Sequence, residues 1–261
     1  MSVVVGCGVA GRFRVTEALW DNPGRGRYRG VGPEGERVLI AVTAPQVQPL
    51  ERTRVELAFA LPRVTPLVAV AAVDSAGPLD ALVEAEPAGA PLAGLAPLAR
   101  ADVIAVGIAL AELAARAHAA GLVLGGLRPE LCYGERTAGR FAFTAAAPRA
   151  IGFFRTGGRL DAMNEPAFDR VFEPADVVLA GRQPTPASDV FTLAGGLGWL
   201  ATGRAAFPGD SWGQQAVAMT AADGTWGEPD PLLRALEPAL CRSPGARPTA
   251  AALRDSLTAL G

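Results

Sequence analysis

The sequence has 261 residues, half of them hydrophobic and 19% charged, so it is long and apolar enough to bury a large core. Its net charge of −2 gives no electrostatic reason to expect a nucleic acid or an anionic membrane as partner. All 24 basic residues are arginines, because the sequence contains no lysine.

The cysteines and the single histidine restrict the chemistry that the chain can perform. Cys7, Cys132 and Cys241 are widely spaced and form no CxxC pair, which is typical of reduced thiols, so we expect a cytoplasmic protein. A Ser-His-Asp triad, a Cys-His dyad or a zinc site would have to use His118. The apolar runs at 103–127 and 190–201 contain charges or are too short, so no membrane span is predicted.

The first third of the chain has the pattern of β structure with one helix. Residues 12–43 contain alternating apolar and polar positions separated by Pro/Gly-rich turns, and 37–42 form an apolar strand. Residues 50–61 have helical spacing. The apolar stretches at 67–73 and 79–83 are separated by a turn and predict two further strands.

The rest of the chain predicts mainly helices. Residues 101–120 have helical spacing without proline, and later helices are expected near 187–202, 213–222, 230–241 and 249–260. Strands followed by helices indicate an α+β protein with two lobes.

The most specific motif runs from His118 to Leu131 with the sequence HAAGLVLGGLRPEL. It resembles the end of the long helix and the catalytic loop of eukaryotic-type (bacterial Ser/Thr) protein kinases, where HxxGLxHxDLKPxN is usual. In this resemblance Leu124 replaces the second histidine of the motif and Gly126 replaces the catalytic aspartate. The metal-binding asparagine is replaced by Leu131.

Two earlier segments are similar to the nucleotide-binding strands of the same family. Residues 19–26 stand where LGxGxxG is usual, but they lack the glycines that would let the backbone approach a phosphate. Residues 35–43 resemble the strand that ends in VAIK, with Thr43 in place of the lysine. Glu56 lies where the family has the carboxylate of its αC helix.

Later segments extend the resemblance over nearly the whole chain. Residues 150–154 occupy the DFG position, with Gly152 in place of the aspartate. Asp189 lies in a segment similar to SDVWSLG, and Arg247 lies in one similar to CLxxDPxxRPT. Residues 173–176 match the APE motif poorly, since they keep its proline without a glutamate in register.

The resemblance implies a two-lobed protein kinase-like fold. Residues 1–11 would form a leader segment, 12–86 a small β-rich lobe and 87–261 a larger helical lobe, all within one kinase-like domain.

The resemblance also implies that the chemistry of the family has been lost. Phosphotransfer needs a lysine on the phosphates, ligands for magnesium and an aspartate that accepts the hydroxyl proton. The positions that should carry these groups hold unsuitable residues: Thr43, Gly126, Leu131 and Gly152. The positions of the family's structural framework are kept: Glu56, His118, Asp189 and Arg247.

We therefore expect a pseudokinase with no enzyme activity and no cofactor or metal, acting as a regulatory or scaffold module. Its expected partner is a protein, such as a kinase, a phosphoprotein-recognition domain or another component of the same system.

Two alternatives of other classes are compatible with parts of the sequence. A divergent nucleotide-dependent transferase on the same fold would need magnesium ligands from Asp161 or Asp169. A dinucleotide-binding protein would use the fingerprint Gly6-Cys7-Gly8-Val9-Ala10-Gly11, which requires a strand, a helix and a parallel second strand.

Overall fold

The structure is a computed structural model with a mixed α+β fold. It describes residues 6, 8–9, 11–22, 25–43, 70–74, 80–121, 123–125, 127–137, 140–144, 174–179 and 184–261. The described residues up to Ala88 form one compact unit, and those from Gly89 onward form a second.

The first unit is built on a curled antiparallel sheet. Its described strands are β1 (Gly8–Val9), β2 (Phe13–Asn22), β3 (Arg25–Val31), β4 (Arg37–Thr43), β5 (Val70–Asp74) and β6 (Asp80–Ala85). They are ordered β1-β2-β3-β4-β6-β5, and each neighbouring pair is antiparallel. Two register shifts in β2, between Val15 and Glu17 and between Ala18 and Trp20, increase the local twist and favour the curl.

One face of this sheet forms the core of the first unit. Its buried side chains come from alternate positions of the strands: Val9, Phe13, Val15, Tyr28, Val38, Ile40, Val42, Ala81 and Val83. Tyr28 fits because Gly26 has no side chain, since a Cβ at Gly26 would overlap its ring. Gly30 makes room for Ile40, since a Cβ there would lie 2.7 Å from Cδ1 of Ile40. The Tyr28 hydroxyl donates a 2.9 Å hydrogen bond to Oδ1 of Asp21, which satisfies its polar end.

Ion pairs occupy part of the opposite face. The guanidinium of Arg29 lies 2.7 Å from Oε2 of Glu17 and 2.8 Å from Oε1 of Glu86. Nε of Arg37 lies 2.7 Å from Oε2 of Glu86. Glu17 and Arg29 are direct cross-strand partners, so their pairing follows from the register. Partly exposed pairs of this kind contribute about 0–1 kcal/mol each, so the apolar face contributes most of the stabilisation.

The second unit contains a small sheet and, in the part that is described, all the α-helices. The strands β7 (Ala90–Pro91), β8 (Tyr133–Thr137) and β9 (Arg140–Thr144) pair antiparallel in that order. The helices are α1 (Arg100–Ala119), α2 (Ala175–Val178), α3 (Pro186–Thr202), α4 (Trp212–Ala221), α5 (Pro231–Leu236) and α6 (Ala250–Thr258). Short 3₁₀ segments lie at Leu92–Leu95, Pro129–Leu131, Glu237–Leu240 and Pro244–Ala246.

Helix α1 packs against α3 and α6 around a glycine. A Cβ at Gly107 would lie 2.8 Å from Cδ1 of Leu257 and 3.0 Å from Cδ1 of Leu197, so the missing side chain lets both leucines approach. Leu110 and Leu113, which follow along α1, have no exposed surface. The three helices therefore form the core of the second unit.

Capping side chains set the start of most of these helices. Thr185, Ser211, Asp230 and Thr249 each accept a hydrogen bond from a backbone N–H in the first turn of α3, α4, α5 and α6. Such residues compete with helical bonding in a helix interior and satisfy free N–H groups at its start.

Most of the predicted elements are confirmed, and one is partly wrong. The predicted helix at 230–241 stops being α-helical at Leu236 and continues as the 3₁₀ segment Glu237–Leu240. Pro238 has no N–H to donate to the carbonyl four residues earlier, so this turn takes the tighter 3₁₀ conformation. The predicted helix at 50–61 lies outside the described residues. Among the helices that the structure describes, none combines the length and the apolar character needed to cross a bilayer.

Candidate functional site

The motif at 118–131, which the sequence analysis found most specific, begins in the last turn of α1. His118 lies in the last turn of this helix, and Gly121 takes a φ of 74°, a left-handed conformation that ends helices and suits glycine. The Nε2 atom of His118 lies 2.9 Å from Oδ2 of Asp189 in α3. The helix end is therefore joined to a residue 71 positions later in the chain.

Asp189 is the centre of this contact. Its carboxylate has no exposed surface, and both of its oxygens accept hydrogen bonds. The N–H of Leu124 donates to Oδ2 over 2.8 Å, and the N–H of Gly125 donates to Oδ1 over 2.7 Å. Charge-assisted bonds of this kind compensate for burial of the carboxylate, so Asp189 anchors the loop that follows α1.

The local sequence explains why Asp189 points inward. Thr185 and Ser188 form a reciprocal capping box at the start of α3, with Pro186 at its first position. Ser188 and Thr192, in the same turns, are also buried, so this face of α3 is packed from its first turn onward. Asp189 follows the cap at the buried position that meets the backbone of the loop.

The continuation of this loop is packed against the middle of α3. A Cβ at Gly196 would lie 2.5 Å from Oε2 of Glu130 and 2.6 Å from Cδ of Pro129, so only glycine permits this approach. Arg128 and Glu130 are 5% and 1% exposed. In the described part of 123–131 the charged side chains are thus packed inside the unit, where they are poorly accessible to a substrate.

Arg247 forms a second centre at the start of the same helix. Its guanidinium donates to the carbonyls of Cys241 (2.8 Å) and Ala187 (3.3 Å), and it pairs with Asp176 of α2 over 3.0 Å. It also lies over the ring of Phe191, 4.7 Å from the centroid. One arginine therefore joins α2, α3 and the segment before α6.

Asp176 is a partner that the sequence analysis did not identify. It follows Pro174 by two positions, within the segment that matched the APE motif poorly. The only signal was a carboxylate close to that proline, and its pairing became visible only when Arg247 was placed 71 residues later in the chain.

The structure brings together only some of the residues nominated from the sequence. His118 and Asp189 are in contact, and Arg247 binds the first turn of the helix that carries Asp189. Thr43 ends β4 with Arg25 and Asp80 as its backbone partners, and Leu131 closes a 3₁₀ turn. The others lie outside the described residues: Glu56, Gly126, Gly152, Asp161 and Asp169.

The observed site has the character of a structural anchor. The described residues contain no group of three His, Cys, Asp or Glu side chains arranged to hold a metal. A His-Asp pair can act as an acid or a base, but Asp189 is fully buried and both of its oxygens are already bonded. Its role in the described region is to hold the loop after α1 in one conformation.

The dinucleotide alternative does not match the local fold. Gly8 and Val9 form β1, which pairs antiparallel with β2 in the register Val9 to Phe13. The ten residues from Phe13 onward are a strand, where the fingerprint requires a helix. Alternating apolar residues and the antiparallel hairpin decide this segment, so that interpretation is wrong.

A buried thiol in this loop region gives a testable consequence. Burial raises the pKa of Cys132 well above its ordinary value, and the charge of Glu130 adds to the shift. We expect iodoacetamide to spare Cys132 in the folded protein and to modify the less buried Cys241, as read by mass spectrometry. Equal labelling of the two without denaturant would contradict the packing of this loop.

The same shift has a defined pH dependence. Because the folded-state pKa of Cys132 is raised, the stability contributed by its neutral form is complete below the unfolded-state pKa, about 8.5. It is lost as the pH rises from there through the folded-state pKa. Cys132→Ala should reduce this loss in denaturation measured between neutral and alkaline pH, and a loss equal to that of the wild type would contradict the shift.

No family model matches the chain, and no curated protein matches it at a significant level.

Proposed function

We propose that the chain is a catalytically inactive, two-lobed protein kinase-like domain that serves as a protein-binding, regulatory or scaffold module. In this proposal the first unit corresponds to the small lobe and the second unit to the helical lobe. The observation that carries it is the anchoring of Leu124 and Gly125 by the buried carboxylate of Asp189. These two residues belong to the segment that resembles the catalytic loop.

The proposal is supported by what the chain has kept. His118, Asp189 and Arg247, which the resemblance assigns to the framework, are all engaged in buried or half-buried contacts. Keeping such contacts maintains a fold, because removing one member of a buried polar cluster leaves the others without partners.

It is also supported by what the chain lacks. The sequence contains no lysine, so no other lysine can replace the one missing at Thr43. Arginine is a rigid planar fork and is no simple substitute for a flexible point charge on a nucleotide phosphate. Gly126, Leu131 and Gly152 have no side-chain oxygen for a proton or a magnesium ion.

A cytoplasmic location belongs to the same proposal. Cys132 and Cys241 are both free thiols, which is the usual state of cysteines in a reducing compartment.

Nucleotide binding provides the direct test. We expect neither heat in calorimetric titration nor a change in thermal unfolding with ATP, ATP plus magnesium, or NAD as comparator. The measurement is sensitive, since a ligand at 100 times its Kd stabilises a folded protein by about 2.7 kcal/mol.

The opposite result would have a specific meaning. Micromolar, magnesium-dependent binding of ATP would contradict the proposal and favour the transferase alternative. Asp161→Asn and Asp169→Asn would then identify the magnesium ligand, with phosphate transfer to a generic protein substrate as the assay.

A further inference from the structure

A cavity of about 510 Å³ lies within the second unit, beside the small sheet. Apolar side chains, including Leu95, Leu98 and Phe141, form much of its lining. Leu95 is 40% exposed, so part of a large aliphatic side chain beside the cavity is open to solvent. The free protein therefore presents an apolar surface that a ligand could cover.

The cavity also lies along an incompletely paired strand. Residue by residue, β8 pairs with β9 from Tyr133 to Thr137, but it pairs with β7 only at Tyr133 and Gly134. Gly89, just before β7, takes a φ of 85°, which turns the chain at the point where the pairing stops. Gly89 packs closely against Gly134 and Glu135, since a Cβ at Gly89 would lie 3.0 Å from Cβ of Glu135. Within the described residues, 136 and 137 thus have a strand partner on one side only.

This open edge contributes to the lining of the cavity, since Glu135 and Arg136 line it. The carbonyl of Cys132 accepts a hydrogen bond from the N–H of Leu92, so it faces the β7 side. Successive residues of a strand direct their N–H and C=O groups to opposite sides. Arg136 follows Cys132 by four positions, so its N–H and C=O also face the β7 side. An extended chain placed there would find both a hydrogen-bonding edge and an apolar pocket.

The charges at this edge define the partner further. Arg136 is already paired with Asp102 of α1. Glu135 is exposed and forms no ion pair with any residue that the structure describes. Glu135 pairs with Ala142 and Arg136 pairs with Phe141, so the Glu135 side chain lies on the face of β8 opposite to Phe141. An added strand that directs an apolar side chain toward Phe141 would direct its neighbouring side chain toward Glu135, whose negative charge complements a basic residue.

We propose that this groove binds an extended peptide segment of a protein partner as an added strand. The segment would pair with β8 beside residues 136–137, continuing the direction of β7 beyond Gly89. It would place an apolar side chain against Leu95 and Phe141 and a basic side chain near Glu135. This inference rests on the proposed protein-binding function, for which it names a surface and a class of partner.

The test is selection of a displayed library of random ten-residue peptides against the purified full chain. We expect enrichment of peptides that alternate apolar and polar positions and carry a basic residue. Synthetic versions should bind Leu95→Asp about tenfold more weakly or worse, because this change removes buried apolar area and adds a charge. Glu135→Arg should weaken binding by roughly three- to fivefold, the scale of an exposed charge pair.

Val217→Asp is the matched control, since Val217 is 66% exposed on α4 and does not line the cavity. Its unfolding temperature and that of Leu95→Asp should stay near wild type. N-methylation of alternate backbone amides in a selected peptide should abolish binding, which separates strand addition from simple apolar contact.

Two results would overturn this inference. If peptides are enriched but bind Leu95→Asp and Val217→Asp equally well, the groove is not the site, while the protein-binding function stands. If no peptide is enriched, the inference of strand addition is wrong. The proposed function is then tested separately by the nucleotide titration.

Discussion

Replacing Asp189 by alanine is expected to lower the free energy of unfolding by about 3–5 kcal/mol, the cost of removing one member of a buried charged cluster. The carboxylate has no exposed surface and accepts bonds from two backbone N–H groups and the His118 ring. All three donors would lose this partner at once, and two of them, the N–H groups of Leu124 and Gly125, are buried away from water. Chemical denaturation followed by circular dichroism measures the change.

Two further variants sharpen this prediction. Asp189→Asn keeps the shape of the side chain and one acceptor oxygen but turns an NH₂ group toward a donor. Its free energy of unfolding should therefore lie between those of Asp189→Ala and the wild type. Asp210→Ala removes an exposed carboxylate and should have little effect. A loss of less than about 1 kcal/mol for Asp189→Ala would show that the anchor contributes no more than an ordinary hydrogen bond.

Arg247→Ala is expected to destabilise the protein by a similar amount, about 3–5 kcal/mol, because the side chain is buried and paired. Its loss would leave the carboxylate of Asp176 and the carbonyls of Cys241 and Ala187 without this hydrogen-bond donor. It would also remove the cation over the ring of Phe191. Arg247→Lys keeps the charge but cannot reach acceptors in several directions, so it should recover only part of the stability.

A double-mutant cycle tests whether the destabilisation by Arg247→Ala depends on its contact with Asp176. Coupling between Arg247→Ala and Asp176→Ala should fall within about 0.5–3 kcal/mol, the range for contacting residues. Arg116→Ala, which removes an exposed guanidinium from α1, serves as the control and should change the unfolding midpoint far less. Strictly additive effects of Arg247 and Asp176 would contradict the contact that joins α2 to α3.

Both predictions concern stability, which matches the function that we propose. Asp189 and Arg247 are buried and hold helices and loops together. The proposed binding groove beside β8 is lined by residues other than these anchors, since neither Asp189 nor Arg247 belongs to its lining. Changes at Leu95 can therefore test binding without removing either anchor.

Much of the secondary structure was predictable from local signals. Alternating apolar residues in 12–43 and the apolar runs after residue 67 indicate strands, and the structure has strands there. The helical spacing of 101–120 and the predicted helix at 187–202 correspond to α1 and α3, because this spacing depends on residues within a few turns of each other. Pro238 shows the limit, since its effect on the last turn of a predicted helix was missed.

The sequence by itself determined the α+β class, most strands of the first unit and most of the helices, because these depend on residues that are neighbours along the chain. It did not predict the strands β8 and β9 of the second unit. It also identified His118, Asp189 and Arg247 as residues of interest. Only the tertiary structure decided which groups meet: the carboxylate that holds Leu124 and Gly125, the pairing of Asp176, and the open edge of β8 beside a cavity. Such contacts join residues tens of positions apart, and no local pattern of apolar and polar residues specifies them.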